Sequence, residues 1–168
     1  MRNSLKVHLL IYLSLLIFFT LDIFPLVYKL NNFFPSLFIL AFIYWNLALP
    51  QKLNLSYPFI MGISYDFLQG TFIGIFPLIF IAISYICQKY FYQFRPLRFV
   101  QQSLIILVFF LLIKVFLSII FLLPSSNPLG LVDNNYIKIS FLYALINAVT
   151  WPFIYFSLRF YRRKWINE

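Results

Sequence analysis

The sequence predicts an all-α, polytopic membrane protein, because the chain is too apolar for water and its apolar residues fall in helix-length segments. Of its 168 residues, 63% are hydrophobic and 10% are charged, and the mean hydropathy is +0.91. A soluble domain averages roughly 45–50% apolar and about 25% charged residues, so this chain lacks the polar surface of a water-soluble globule. Intrinsic disorder is excluded as well, since it requires low hydrophobicity.

About six transmembrane helices are predicted, because a helix needs about 20 apolar residues to cross the hydrocarbon core. The first segment is interpreted as a retained span rather than a signal peptide, whose apolar region would be about 7–15 residues long and end at small residues. The third and fourth segments are short and rich in glycine, so they form either two spans that turn near Gly70 or a re-entrant hairpin. The predicted spans are residues 7–27, 33–49, 57–69, 71–88, 103–123 and 139–158.

The basic residues predict the orientation. If the N-terminus is cytoplasmic and the chain crosses six times, ten Lys and Arg residues face the cytoplasm and two, Lys29 and Lys138, face the other side. This asymmetry follows the positive-inside rule and accounts for the net charge of +9 without nucleic-acid binding. Both termini are therefore predicted in the cytoplasm. The longest connection, residues 124–138, is too short for an extramembrane domain, so function is expected within the lipid bilayer or at its surfaces.

No motif for a metal, a cofactor or catalysis is found in the sequence. Cys87 has no second cysteine for a disulfide, and His8 has no other His or Cys at ligand spacing. A phosphate-binding glycine loop and a nucleophile elbow are also missing. The sequence therefore predicts a protein that is not an enzyme and has no cofactor.

A glycine pattern marks the third and fourth segments. Gly62, Asp66, Gly70 and Gly74 recur every four residues, which would place them on one face if the helix were continuous. Small residues on one face allow a second helix to approach closely. The four residues are predicted to form a packing face for a helix of this chain or of a partner, with Asp66 anchoring the contact or lining a pocket.

Three ionisable residues, Asp22, Asp66 and Lys114, lie inside apolar segments. A charge at the centre of a bilayer costs about 2.5–3.5 kcal/mol, so such residues face the protein interior and pair. At about 1.5 Å per residue, Asp66 lies about 14 Å, Lys114 about 20 Å and Asp22 about 22 Å from the cytoplasmic end. The depths predict a polar cluster of Lys114 with Asp22, Asp66 or both. The alternative is that Lys114 extends alone towards the membrane surface.

The last segment carries Asn147, Trp151 and Pro152. Asn147 can form a hydrogen bond between helices, and Pro152 removes one backbone hydrogen bond and is expected to kink the helix.

Three motifs follow one another along the chain, namely Tyr44-Trp45-Asn46-Leu47-Ala48-Leu49-Pro50, Gly62-x3-Asp66-x3-Gly70-x3-Gly74 and Asn147-Ala148-Val149-Thr150-Trp151-Pro152. Together with Phe94-Arg95 and Gln101-Gln102, they resemble the MreD family of bacterial rod shape-determining proteins. The resemblance runs from about Leu37 to the C-terminus and implies a location in the bacterial inner membrane.

This resemblance implies a scaffold of the cell-wall elongation machinery. The implied partners are MreC, MreB, RodA and the elongation transpeptidase, and association with further copies of the chain stays open. The family's fold is similar to that of the substrate-binding components of energy-coupling-factor (ECF) transporters. An alternative function is a transporter-like protein that binds a small molecule or lipid, because mid-membrane ionisable residues and broken helices are typical of such sites.

Overall fold

The computed structural model describes residues 2–27, 34–50, 53, 56–90, 92, 97–122 and 134–165. These residues contain no β-strand, so the predicted all-helical class is confirmed for them. Lys29, Lys52 and Arg95, on which the predicted orientation partly depends, lie outside the described residues. Six helices have described bounds: α1 (Arg2–Val27), α2 (Leu37–Ala48), α3 (Ser56–Gln69), α4 (Ile75–Lys89), α5 (Phe99–Leu122) and α6 (Asn134–Trp165).

Two helices are long and apolar enough to cross a bilayer, judged by length and composition among the described residues. They are α5 over Phe99–Ile120 and α6 over Asn135–Trp165. Shorter apolar helices cover Val7–Ile23, Leu37–Ala48 and Ile75–Lys89. The helices therefore support a helical membrane protein, while the number of crossings stays a prediction.

The helices differ from the predicted spans at several ends. α6 begins at Asn134, so Lys138 belongs to a helix and not to the predicted loop. α5 likewise begins at Phe99, four residues before the predicted span 103–123. The physical reason is that the hydrocarbon core limits only the apolar part of a helix, and backbone hydrogen bonding continues into the polar interface. With 32 residues, α6 is about 48 Å long, which exceeds the ~30 Å hydrocarbon thickness.

Helix α2 lies at the centre of the bundle. Each residue from Phe38 to Asn46 is buried, and α2 packs against α1, α4 and α6. A helix that is apolar on all sides is stable only when it is surrounded, and α2 has this pattern. Phe38 stacks on Tyr65 of α3 with ring centroids 5.4 Å apart, and Phe42 stacks on Phe80 of α4 at 4.6 Å.

Helices α3 and α4 form a tight antiparallel hairpin, and Gly62 makes their close approach feasible. A Cβ atom at this position would lie 2.8 Å from the carbonyl carbon of Phe76 and still closer to the backbone N and Cα atoms of Pro77. The small-residue contact predicted for Gly62 is thus occupied by a helix of the same chain.

The helix is not continuous from Gly62 to Gly74, so the condition for one shared face is not met, whereas the predicted turn near Gly70 is present. Helix α3 ends at Gln69, and Gly70 and Gly74 lie in the following turn with φ angles of +64° and +114°. L-amino acids rarely adopt such angles, whereas glycine does so without a steric penalty. The glycines at 70 and 74 therefore reverse the chain, and only Gly62 packs against a helix.

Candidate functional site

Asp66 is the organising residue of the α3–α4 turn. Its side chain is fully buried. One carboxylate oxygen accepts hydrogen bonds from the Thr71 hydroxyl at 2.9 Å and the Phe76 N–H at 3.1 Å, and the other accepts from the Gly74 N–H at 2.7 Å. The first N–H groups of a helix have no partner within the helix, and a carboxylate satisfies them while also complementing the helix dipole. Asp66 thus caps the start of α4.

Asp22 has the same role for α2. This buried residue lies near the end of α1, and its two oxygens accept hydrogen bonds from the N–H groups of Leu37 at 2.9 Å and Phe38 at 3.2 Å. Helices α1 and α3 therefore each supply a buried aspartate that caps the helix that follows. In both cases the backbone provides the partners that a buried carboxylate requires.

Ser36, which precedes α2, connects three helices. Its N–H donates a hydrogen bond to the side-chain oxygen of Asn147 at 2.9 Å. Its hydroxyl shares hydrogen bonds with the phenol oxygens of Tyr143 on α6 and Tyr65 on α3, the latter at 3.4 Å. Gln69 in turn donates to the Tyr65 oxygen at 3.1 Å. The polar groups at the start of α2 are therefore joined in one buried network.

This network borders a cavity of about 190 Å³. The residues around it come from the C-terminal parts of α1, α3 and α5 and from the N-terminal parts of α2, α4 and α6, so it lies at one end of the bundle. Its polar lining consists of Asp22, Ser36, Tyr65, Gln69, Lys114 and Tyr143, and its apolar lining includes Ile39, Phe76, Phe110, Ile113 and Leu117.

The cavity brings together Asp22 and Lys114 but not Asp66. The ammonium of Lys114 lies over the ring of Tyr143, 4.3 Å from its centroid, while the Asp66 carboxylate faces the turn before α4. Within the described part of the chain, no carboxylate lies within salt-bridge distance of Lys114. The predicted pairing of Lys114 with an aspartate and the outward-extended alternative both stay predictions, and the contact described for the ammonium is a cation–π interaction.

The predicted features of the last helix lie along α6. The Asn147 side chain donates to the Tyr143 carbonyl at 2.8 Å and accepts from Ser36, so it links α6 to the start of α2. The indole N–H of Trp151, which is fully buried, donates to the side-chain oxygen of Gln102 on α5 at 3.3 Å. Helix α6 continues through Pro152.

Five polar residues of the site were not predicted, namely Ser36, Tyr65, Gln69, Thr71 and Tyr143. A serine directly before an apolar run is a typical helix start, and this signal could have identified Ser36. The two tyrosines and Thr71 carry no comparable signal, because many aromatic residues surround them and their partners are distant in the sequence.

The sequence is similar to known proteins over most of its length. A family model described as "rod shape-determining protein MreD" matches residues 1–161. The rod shape-determining protein MreD of Haemophilus influenzae is 28% identical over 146 residues, which cover 87% of this chain and 86% of that protein. No solved structure is significantly similar to the chain, so the likeness to ECF transporter components stays a prediction. Because the family model spans nearly the whole sequence, the chain belongs to the MreD family of rod shape-determining proteins.

Proposed function

We propose that this protein helps to determine cell shape as a non-enzymatic scaffold of the cell-wall elongation complex in the bacterial inner membrane. The family match over residues 1–161 carries the proposal, and the name of the H. influenzae relative supports it. The scaffold binds membrane proteins such as MreC, together with MreB, RodA and the elongation transpeptidase.

The roles of the buried polar groups support a scaffold. The carboxylates of Asp22 and Asp66 accept hydrogen bonds from the starts of two helices, so both have a structural function. The outward faces of the helices are apolar and suit lipid or the transmembrane helix of a partner. Examples of such exposed side chains are Leu16, Val108 and Phe153.

The proposed arrangement is a multi-pass protein with both termini in the cytoplasm. One contact between helix ends supports this arrangement. Arg162, near the end of α6, donates a hydrogen bond to the Ala48 carbonyl at 3.5 Å, so the C-terminal ends of α6 and α2 lie together. This contact lies at the bundle end opposite the cavity. Arg159, Arg162, Arg163 and Lys164 therefore gather where the positive-inside rule requires the cytoplasm.

Reporter fusions test this orientation. Alkaline phosphatase, which is active only in the periplasm, is expected to be active when fused after residue 30 and inactive after residue 95 or residue 168. Green fluorescent protein, which fluoresces only in the cytoplasm, is expected to give the complementary pattern. Alkaline phosphatase activity at the C-terminus would contradict the proposed orientation.

The partner surface is proposed at the α3–α4 turn, the part of the predicted glycine face that the protein itself leaves open. A Cβ atom at Gly70 or Gly74 would meet nothing within 4 Å among the described residues. The neighbouring side chains of Phe72 and Ile73 are 67% and 69% exposed. An apolar turn with this exposure suits contact with a membrane-embedded partner.

Crosslinking in cells tests this surface. In a Cys87→Ala background, cysteines at Phe72 and Ile73 are expected to crosslink to MreC, whereas the matched substitution Leu104→Cys, at a side chain 59% exposed on α5, is expected to give no such product. Each variant is produced in a rod-shaped bacterium depleted of its own MreD protein, where restored rod shape shows that the variant functions. Round cells with the unmodified chain would contradict the shape role in that host. Crosslinks to MreC only from residue 104 would contradict the proposed surface.

A further inference from the structure

The ammonium of Lys114 lines the cavity, and no carboxylate of the described residues lies within salt-bridge distance of it. The ammonium lies over the ring of Tyr143 in a cation–π contact. An ammonium within a span is costly without a partner, and an aromatic face supplies only part of the stabilisation that a counter-ion would give. The position therefore favours an anion in the adjacent space.

Asp22 lines the same cavity but does not serve as the counter-ion of Lys114. Both of its oxygens accept hydrogen bonds from the backbone at the start of α2. The positive end of the α2 dipole also compensates its charge. The cavity therefore contains a carboxylate with backbone partners and an ammonium without a described counter-ion.

The remaining lining adds hydroxyl groups and apolar surface. The hydroxyls of Ser36, Tyr65 and Tyr143 use two of their three protons in hydrogen bonds to one another, which leaves one proton to donate to an anionic oxygen. Phe110 and Leu117 supply an apolar wall. The volume of about 190 Å³ is below the ~300–1,000 Å³ of drug-sized sites. The site therefore suits a small molecule or the head of a larger one.

We propose that this cavity binds an anionic group, a phosphate or a carboxylate, that is attached to an apolar body. Lys114 contacts the anion, one hydroxyl of the Ser36–Tyr65–Tyr143 group donates a hydrogen bond to it, and the apolar wall accepts the attached carbon chain. Two sources share this chemistry, namely a free amphiphilic anion and the head group of an anionic phospholipid. The inference does not depend on the scaffold function.

Binding is tested with the full chain purified in dodecyl maltoside, which is uncharged. Hexyl phosphate is titrated by calorimetry, with hexanol as the uncharged control. In parallel, native mass spectrometry measures the retention of phosphatidylglycerol and of zwitterionic phosphatidylcholine. Saturable binding of hexyl phosphate indicates a free anion as ligand, and selective retention of one phosphatidylglycerol indicates a lipid. Either result supports the site if it depends on Lys114.

Four variants establish that dependence. Lys114→Gln is expected to weaken binding at least about tenfold, because a charge-assisted hydrogen bond is lost, and Lys114→Arg is expected to retain most of it. Lys89→Gln is the matched control, because exposed Lys89 also lies over tyrosine rings, 5.7 Å from each centroid, and is not among the residues that line the cavity. Leu117→Trp keeps the charge but fills the cavity, and it is expected to abolish binding even if Lys114→Gln cannot be purified.

The proposal is overturned if the unmodified chain binds hexyl phosphate no better than hexanol and phosphatidylglycerol no better than phosphatidylcholine. It is also overturned if Lys114→Gln or Leu117→Trp binds as tightly as the unmodified chain.

Discussion

Gly62→Ala is expected to destabilise the α3–α4 hairpin by about 3 kcal/mol, at the upper end of the range for overpacked sites. The new methyl group would overlap the backbone of Phe76 and Pro77, and backbone atoms cannot move aside as the end of a flexible side chain can. Helix propensity alone favours alanine over glycine by about 1 kcal/mol, so a net loss of stability identifies the clash as the dominant effect. The measurement is the thermal unfolding midpoint of the protein purified in detergent.

Gly70→Ala is the matched control, since it adds the same methyl group to a glycine only eight residues away. Its Cβ would enter open space among the described residues, but the φ of +64° is unfavourable for alanine. Gly70→Ala is therefore expected to lower the free energy of unfolding by about 1–2 kcal/mol. Gly70→Asn is expected to cost less than Gly70→Ala, because asparagine tolerates the left-handed region. If Gly62→Ala unfolds at the same temperature as the unmodified chain, the close contact of α3 with α4 is wrong.

Asp66→Ala is the second substitution with a large expected effect. It is expected to lower the free energy of unfolding by roughly 2–6 kcal/mol. The N–H groups of Gly74 and Phe76 lose their acceptor, and each unsatisfied buried group costs about 1–3 kcal/mol. Asp66 is fully buried in the protein, so water does not reach these N–H groups, which keeps this cost high. The result is expected as a lower unfolding midpoint and faster hydrogen exchange at the first turn of α4.

Two milder substitutions separate the individual hydrogen bonds of Asp66. Asp66→Asn retains one acceptor oxygen and places an N–H₂ group at the other position, so its effect is expected to lie between those of the unmodified residue and alanine. Thr71→Val removes only the hydroxyl that donates to Asp66 at 2.9 Å. It is expected to lower the free energy of unfolding by about 1 kcal/mol. An unfolding midpoint for Asp66→Ala equal to that of Thr71→Val would contradict the capping role.

The two substitutions act on one structural unit. Gly62 sets the distance between α3 and α4, and Asp66, one turn further along α3, fixes the turn that joins them. Phe72 and Ile73 project from this turn, so the proposed partner surface depends on both residues. Loss of MreC crosslinking from Phe72→Cys is therefore expected when Gly62→Ala or Asp66→Ala is added.

The sequence alone determined the properties that depend on composition and local spacing. The apolar excess indicates a membrane protein, because the free energy of transfer into lipid is a sum over side chains and needs no tertiary contact. The motifs from Tyr44 to Pro152 identified the family, which the family match confirmed. The isolated charges Asp22 and Asp66 were recognised as buried, because a charged side chain in an apolar segment requires an internal partner.

Only the tertiary structure decided which groups those charges meet. The partners of Asp22 and Asp66 are backbone N–H groups at the starts of α2 and α4, and each residue type except proline carries such a group, so side-chain patterns do not reveal them. The four-residue spacing from Gly62 to Gly74 suggested one helix face, but the positive φ angles of Gly70 and Gly74 end that helix. A four-residue repeat marks one helix face only if the helix is continuous. Glycine can leave the helical conformation without a steric penalty, so a repeat of glycines does not show that the helix continues.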